Sequence, residues 1–196
     1  IWGRIVLMAL GIFLNIRNIK TLDENQVYVF ISNHRSHADI PVCVSITGHY
    51  FKFLAKEELT RVPLLGWIIS KLYLTVSRKN TRDRVKSMIN MKEALNNGTS
   101  LWLYPEGTRA RSEDIIPGDF EDGAFWLAIE TQKPLAVISI RDTGAILSTT
   151  KIFYLLPGIV HCTLAGIIDP TGMKKTDIPA LKENARHLLQ KGLQLN

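Results

Sequence analysis

The sequence predicts an α/β, single-domain layered fold, in which a mixed, largely parallel sheet is flanked by helices. Three observations carry the expectation. Short β-branched or aromatic runs alternate with helical segments along the chain. The 196 residues match one domain with one core of ordinary size. Hydrophobic content of 46% and charged content of 21% are those of a globular protein, which sets aside disorder, collagen and coiled coil. No repeat, low-complexity tract or linker divides residues 1–196.

The elements are expected in the following order. Residues 1–16 are apolar on nearly every helical face and read as one helix, suited to a core or to a membrane interface. Its uncharged stretch, Ile5 to Ile16, is 12 residues long, against the ~20 needed to span a bilayer. Residues 152–168 are also uncharged, but Pro157-Gly158 breaks them into two short strands. Val27 to Ser32 reads as a buried strand. A polar cluster, Asn33 to Asp39, follows it, and Pro41 suits the first turn of a helix beyond. Lys71 to Val76 is a strand. The basic segment Arg78 to Lys86, with five Lys/Arg against one Asp, leads into a helix that ends at Asn96-Asn97-Gly98. Thr99 to Leu103 is a strand left by the turn Tyr104-Pro105-Glu106-Gly107-Thr108-Arg109. Phe120 to Thr131 is helical, Leu135 to Ile140 and Val160 to Ile168 are strands, and Ile178 to Leu193 is an amphipathic terminal helix.

Cys43 and Cys162 lie far apart in apolar surroundings without a C-x-x-C pair. That disfavours a disulfide framework and a cysteine-built zinc site, and it fits a reducing compartment. The net charge of +6 by itself is the only feature that would favour nucleic acid, and no recognition module accompanies it. No secretory signal is visible.

Two turns can carry chemistry. His34 directly follows a strand, where α/β folds present reactive groups, and Asp39 lies five residues on, across a turn into a helix. An imidazole is a competent base near neutrality, and a carboxylate beside it fixes the tautomer and stabilises the imidazolium. From spacing alone, a capping box Ser36-x-x-Asp39 with an ordinary loop histidine is equally compatible. A metal held by His34, His37 and Asp39 finds no obvious further ligand, and Ser36 as a nucleophile lacks a G-x-S-x-G elbow. The turn after Leu103 offers Gly107 for close backbone approach and Arg109 as a planar fork for phosphate, or else a plain surface Glu–Arg pair. The basic segment at Arg78 to Lys86 is either a solvated helix face or a contact for phosphate or anionic lipid.

Taken together, these segments resemble the glycerolipid acyltransferases. Asn33-His34-Arg35-Ser36-His37-Ala38-Asp39 resembles the family's N-H-x-x-x-x-D block. Gly66-Trp67-Ile68 running on to Arg78 resembles the second block, and Tyr104-Pro105-Glu106-Gly107-Thr108-Arg109 the third, F/Y-P-E-G-T-R. Lys133-Pro134-Leu135-Ala136-Val137-Ile138 occupies the place of the fourth, with Val137 where a second proline is usual. Within the family the chain is most similar to the 1-acyl-sn-glycerol-3-phosphate acyltransferases.

The resemblance implies the glycerolipid acyltransferase type of fold and an O-acyltransferase of phospholipid biosynthesis. His34 would be the general base and Asp39 its orienting partner, while Arg78, Glu106, Gly107, Thr108 and Arg109 would hold the phosphate end of the acceptor. The acyl donor would be acyl-CoA or acyl-carrier protein, and the acceptor a lysophospholipid in a membrane. No metal, cofactor or nucleic acid would be involved. The protein would sit at the cytoplasmic face of a membrane, held peripherally through 1–16 or by a segment upstream of residue 1. A transferase for another lyso-lipid or for glycerol-3-phosphate, a hydrolase, and a non-catalytic lipid-binding module are the alternatives. Gly118 to Gly123 carries Asp119, Glu121 and Asp122 where the family usually has lysines, and these acids are expected to weaken attraction to a phosphomonoester.

Overall fold

Strands that are apolar on both faces need cover on both faces, and that demand organises the molecule. The structure is a computed structural model and describes residues 2–56, 73–76, 81–107, 119–147 and 156–195. Strands β1 (Ile12–Arg17), β2 (Val29–Ser32), β3 (Phe51–Lys56), β4 (Tyr73–Val76), β5 (Ser100–Leu103), β6 (Leu135–Arg141) and β7 (Gly158–Ile168) form one seven-stranded sheet in the order β1-β7-β6-β2-β5-β3-β4. Every neighbouring pair is parallel except β6 and β7. The sheet is mixed and largely parallel, as expected; the alternation of elements accounts for its parallel part, and β7 running against β6 makes it mixed.

Helices cover both faces. On one lie α1 (Trp2–Ala9) and α2 (Asp39–Ile46), packed with Phe30, Trp102, Ile138 and Val160. On the other lie α3 (Thr81–Asn96), α4 (Gly123–Thr131) and α6 (Ile178–Gln194), packed with Val29, Ile31, Leu101 and Leu135. A single turn of helix, α5 (Thr143–Ile146), follows β6. Successive residues of β2 thus feed opposite cores, as a period of two requires.

The end of α3 follows its sequence signal in detail. Gly98 has φ +85° and donates to Leu95 O, while the Thr99 N–H donates to Ala94 O, which makes a Schellman closure.

The N-terminus departs from expectation. Residues 1–16 do not form one helix. Helix α1 ends at Ala9, Gly11 takes φ +68°, and Ile12 to Arg17 join the sheet edge in parallel register with Gly158 to Thr163. An uninterrupted apolar run satisfies both periodicities, so the run alone does not choose between them. The left-handed glycine and the unfilled edge of β7 decide for the strand. Strand β3 was likewise not among the expected elements. The strand expected over Lys71 to Val76 is described from Tyr73, and the short strand expected before Pro157 falls on residues outside the described set.

Candidate active site

Strands β2 and β5 run parallel with Ile31 opposite Leu103, so the chain leaves both at the same sheet end, side by side. Ligand sites in open α/β sheets form beyond such carboxyl ends. His34 emerges from one strand and Tyr104, Pro105, Glu106 and Gly107 from the other.

Asn33 starts the arrangement. Its buried side-chain amide donates to Ile140 O at 2.6 Å and accepts the Ile140 N–H at 2.9 Å. Ser32 is the last residue of β2 paired with β6, opposite Ile138. The amide therefore stands in for the next rung of the ladder while the backbone turns away, and the following residue is aimed out of the sheet.

That residue is His34. Its Nδ1 lies 2.7 Å from Asp39 Oδ2, with the carboxylate side chain 1% exposed and the imidazole 18%. The same oxygen accepts the N–H groups of Arg35 at 2.8 Å and Ser36 at 2.9 Å. Asp39, the first residue of α2, ties the turn to the helix and orients the histidine. The capping box Ser36-x-x-Asp39 does not form as such, since Ala38 is the N-cap without a side-chain bond and Ser36 Oγ takes the Ala38 N–H instead. A carboxylate is acceptor-only when ionised, which puts the imidazole proton on Nδ1 and makes Nε2 the acceptor nitrogen. Ser36 is buried; its hydroxyl donates to Leu147 O at 2.7 Å and accepts from the Ala38 N–H at 3.1 Å. That hydroxyl proton is committed to a backbone carbonyl, away from His34. Among the described residues no three His, Cys, Asp or Glu side chains gather as metal ligands.

The second turn closes through the Gly107 N–H to Tyr104 O at 3.0 Å, with Gly107 at φ +69°. A Cβ there would be strained by that backbone angle, although Glu121 Cγ at 3.4 Å would leave it room. Glu106 Oε1 lies 3.4 Å from the His34 backbone nitrogen, which joins the two turns. Of the expected site residues, His34, Asp39, Glu106 and Gly107 are brought together. Arg78, Thr108 and Arg109 lie outside the described residues.

Two participants, Tyr104 and Cys43, are named from the sequence but are given no role at the site there. The Tyr104 ring stacks on the imidazole, with centroids 3.9 Å apart and planes 13° from parallel. Its hydroxyl lies 3.6 Å from Cys43 Sγ. Burial pushes the Cys43 thiol well up, with the Asp39 carboxylate adding to it; burial likewise raises the Tyr104 phenol, with Cys43 and Asp39 reinforcing it. Both groups stay neutral beneath the histidine. No spacing signal could reveal this contact, because it depends on the register of β2 against β5.

A cleft of about 520 Å³ opens beside the histidine. Leu54, Met88, Met91, Ala124 and Leu127 supply apolar walls, and Arg84, Gly107 and Glu121 supply polar lining. The structure separates the three acids of the segment after Gly118. Asp119 pairs with Arg186 at 3.2 Å and Asp122 with Lys182 at 2.7 Å, both on α6. Only Glu121 of the three lines the cleft, its backbone N–H held by Pro105 O at 2.8 Å.

Comparison with known proteins places the chain among relatives. The acyltransferase family profile matches residues 13–141. The chain is 33% identical over 138 residues to a chloroplastic 1-acyl-sn-glycerol-3-phosphate acyltransferase of Arabidopsis thaliana, covering 69% of this chain and 38% of that one. It is 27% identical over 181 residues to the mouse 1-acyl-sn-glycerol-3-phosphate acyltransferase alpha, covering 90% of this chain and 62% of that one. The chain therefore spans between about a third and three fifths of the curated relatives it matches. The crystal structure of the 1-acyl-sn-glycerophosphate acyltransferase PlsC from Thermotoga maritima superposes with a TM-score of 0.84 at 24% identity, covering 98% of this chain and 75% of that chain. At that identity the likeness establishes the shared fold.

Proposed function

The chain belongs to the acyltransferase family, and from that premise we propose that it transfers a fatty acyl group from an acyl thioester to the free hydroxyl of 1-acyl-sn-glycerol-3-phosphate, giving phosphatidic acid. The observation that carries this reading is the 2.7 Å contact from His34 Nδ1 to a buried Asp39 at the wall of an apolar cleft. His34 Nε2 takes the hydroxyl proton as the acceptor oxygen attacks the thioester carbonyl. The Asp39 carboxylate stabilises the imidazolium that results. Collapse of the tetrahedral adduct breaks the C–S bond, and the imidazolium returns its proton to the departing thiolate. The thioester is already activated, so the reading needs neither metal nor cofactor; the donor is acyl-CoA or acyl-carrier protein.

Arg78, Glu106, Gly107, Thr108 and Arg109 hold the phosphate end of the acceptor in this reading, with guanidinium forks suited to phosphate oxygens. Arg109→Ala, and to a smaller degree Arg78→Ala, should raise the acceptor KM; a loss confined to the acyl donor would refute the assignment. Activity should survive exhaustive chelation. The deciding experiment is an acceptor panel with a labelled acyl thioester, comparing lysophosphatidic acid, other lyso-lipids, glycerol-3-phosphate and water. Transfer to water alone would make the protein a hydrolase and overturn the proposal.

A long-chain acceptor remains in its bilayer, so the cleft must reach the surface. No helix among the described residues is long and apolar enough to cross a membrane. Helix α1 instead presents Ile5 (61% exposed) and Met8 (71% exposed) outward, and α3 begins with exposed Arg82, Arg84 and Lys86. The outer face of α1 suits the apolar layer of a membrane surface, and the basic start of α3 suits anionic headgroups. Ile5→Glu with Met8→Glu changes the outer face of α1 and leaves β1 in the sheet. It should reduce activity on vesicle-bound acceptor and spare a short-chain soluble one; equal loss on both would refute the membrane role.

A further inference from the structure

We infer that Tyr104 is a positioning residue for the His34 imidazole, anchored at its far end by Cys43, so that one helix clamps both rings of the stacked pair. The geometry is specific. Asp39 and Cys43 stand four residues apart on α2 and so share a face. Asp39 holds the edge of the imidazole through Nδ1 at 2.7 Å, and Cys43 meets the Tyr104 hydroxyl at 3.6 Å. Between these two fixings the rings lie face to face at 3.9 Å and 13°. Phe53 lies nearly parallel to Tyr104 with centroids 6.4 Å apart, which extends the aromatic support to β3.

This arrangement has two consequences for a base. Asp39 alone is a hinge, because a single contact at Nδ1 leaves the ring free to swing about it. A flat wall on one face removes that freedom and directs Nε2. The electron-rich face of the phenol also attracts a cation, so it favours the imidazolium that forms during transfer. Tyr104 can do this without ionising, since burial keeps its phenol and the Cys43 thiol protonated. Other described groups around the imidazole are Asp39 from α2, Glu106 from the turn after β5, and Arg84 and Glu121, which line the same cleft. None of the four is itself replaced in the Tyr104 and Cys43 variants.

The inference rests on His34 being the base, and its test separates the two. Nuclear magnetic resonance titration of the His34 ring, assigned by its absence in His34→Gln, reads the stack without any turnover. In Tyr104→Leu the imidazole pKa should fall by about half a unit to one unit, the range of a cation–π contact. The acidic limb of kcat/KM should move down with it. The same variant should lose about tenfold to a hundredfold in kcat, the scale of a displaced catalytic group, with acceptor and donor KM little changed. Tyr104→Phe keeps the face and loses the anchor; it should preserve the pKa and cost only a few-fold in kcat. Cys43→Ala should match it, and the double variant Cys43→Ala with Tyr104→Phe should lose no more than either single one. A folded Tyr104→Leu with an unmoved His34 pKa would overturn the inference. Additive losses in the double variant would overturn the anchor, including if Tyr104→Leu does not fold. Full turnover in His34→Ala would instead remove the base itself, whatever the titration shows.

Discussion

Two His–Asp pairs stand at the same end of the sheet, and they differ in almost everything except distance. His34 meets Asp39 at 2.7 Å beyond the end of β2; His161 on β7 meets Asp142 at 2.8 Å beyond the end of β6. The Asp39 side chain is 1% exposed, whereas that of Asp142 is 40% exposed. Asp39 Oδ2 collects two backbone N–H groups besides the imidazole, which fixes it before any substrate arrives. Asp142 Oδ2 shares itself with the Arg141 guanidinium at 3.3 Å. Water screens both partners of the second pair, whereas in the first it reaches the imidazole and hardly touches the carboxylate. His34 has a cleft beside it and an aromatic wall on its face. A short His–Asp contact is therefore common property; a buried, pre-fixed carboxylate and an adjoining cavity make it a candidate base.

The contrast can be broken or sharpened by substitution. The largest effect is expected at the first pair. His34→Ala should lower turnover by about 10²–10⁴-fold with the fold intact, measured with purified protein and a labelled thioester. Asp39→Asn should lose much of the same factor, because an amide does not stabilise an imidazolium. Near-normal turnover in His34→Ala would end the comparison.

Asn33→Ala comes next. It removes both side-chain bonds to Ile140 in a buried setting and should cost about 1–3 kcal/mol of stability, with reduced kcat, as read by denaturant unfolding alongside the assay. Unchanged stability would mean that the sheet does not need this substitute rung.

The acidic segment gives a smaller, directional test. Glu121→Lys should lower the KM for phosphomonoester acceptors a few-fold, because this carboxylate lines the cleft. Asp119→Lys or Asp122→Lys should leave that KM unchanged and weaken the junction with α6 instead. Equal effects at all three positions would show that general charge matters more than placement.

The smallest change is expected at the second pair. His161→Gln or Asp142→Asn should alter turnover by no more than about twofold and stability by no more than about 1 kcal/mol, the scale of an exposed ion pair. A large loss of turnover there would place a second functional group at this end of the sheet.

Much of this arrangement is readable along the chain because it is local. Gly98 follows a helix and closes it; Pro41 enters one; His34 and Asp39 are five residues apart and meet across a turn. Other features lie where a one-dimensional pattern has two solutions. Residues 12–17 satisfy an apolar helix as well as an apolar strand, and the left-handed Gly11 with the open edge of β7 selects between them. The three acids after Gly118 look equivalent in sequence, yet two face α6 and one faces the cleft.

Sequence alone therefore determined most of the alternation of strands and helices and the places of the two polar turns, since these rest on periodicity or on neighbours within a few residues. It allowed a His34–Asp39 pair without choosing it over a plain cap. Tertiary structure decided what reaches those residues from elsewhere. Asn33 finds Ile140 across 107 positions and Tyr104 finds Cys43 across 61. Such contacts follow from strand register, and register is a property of the whole sheet: it is set by which apolar faces must be buried together, which no single segment encodes.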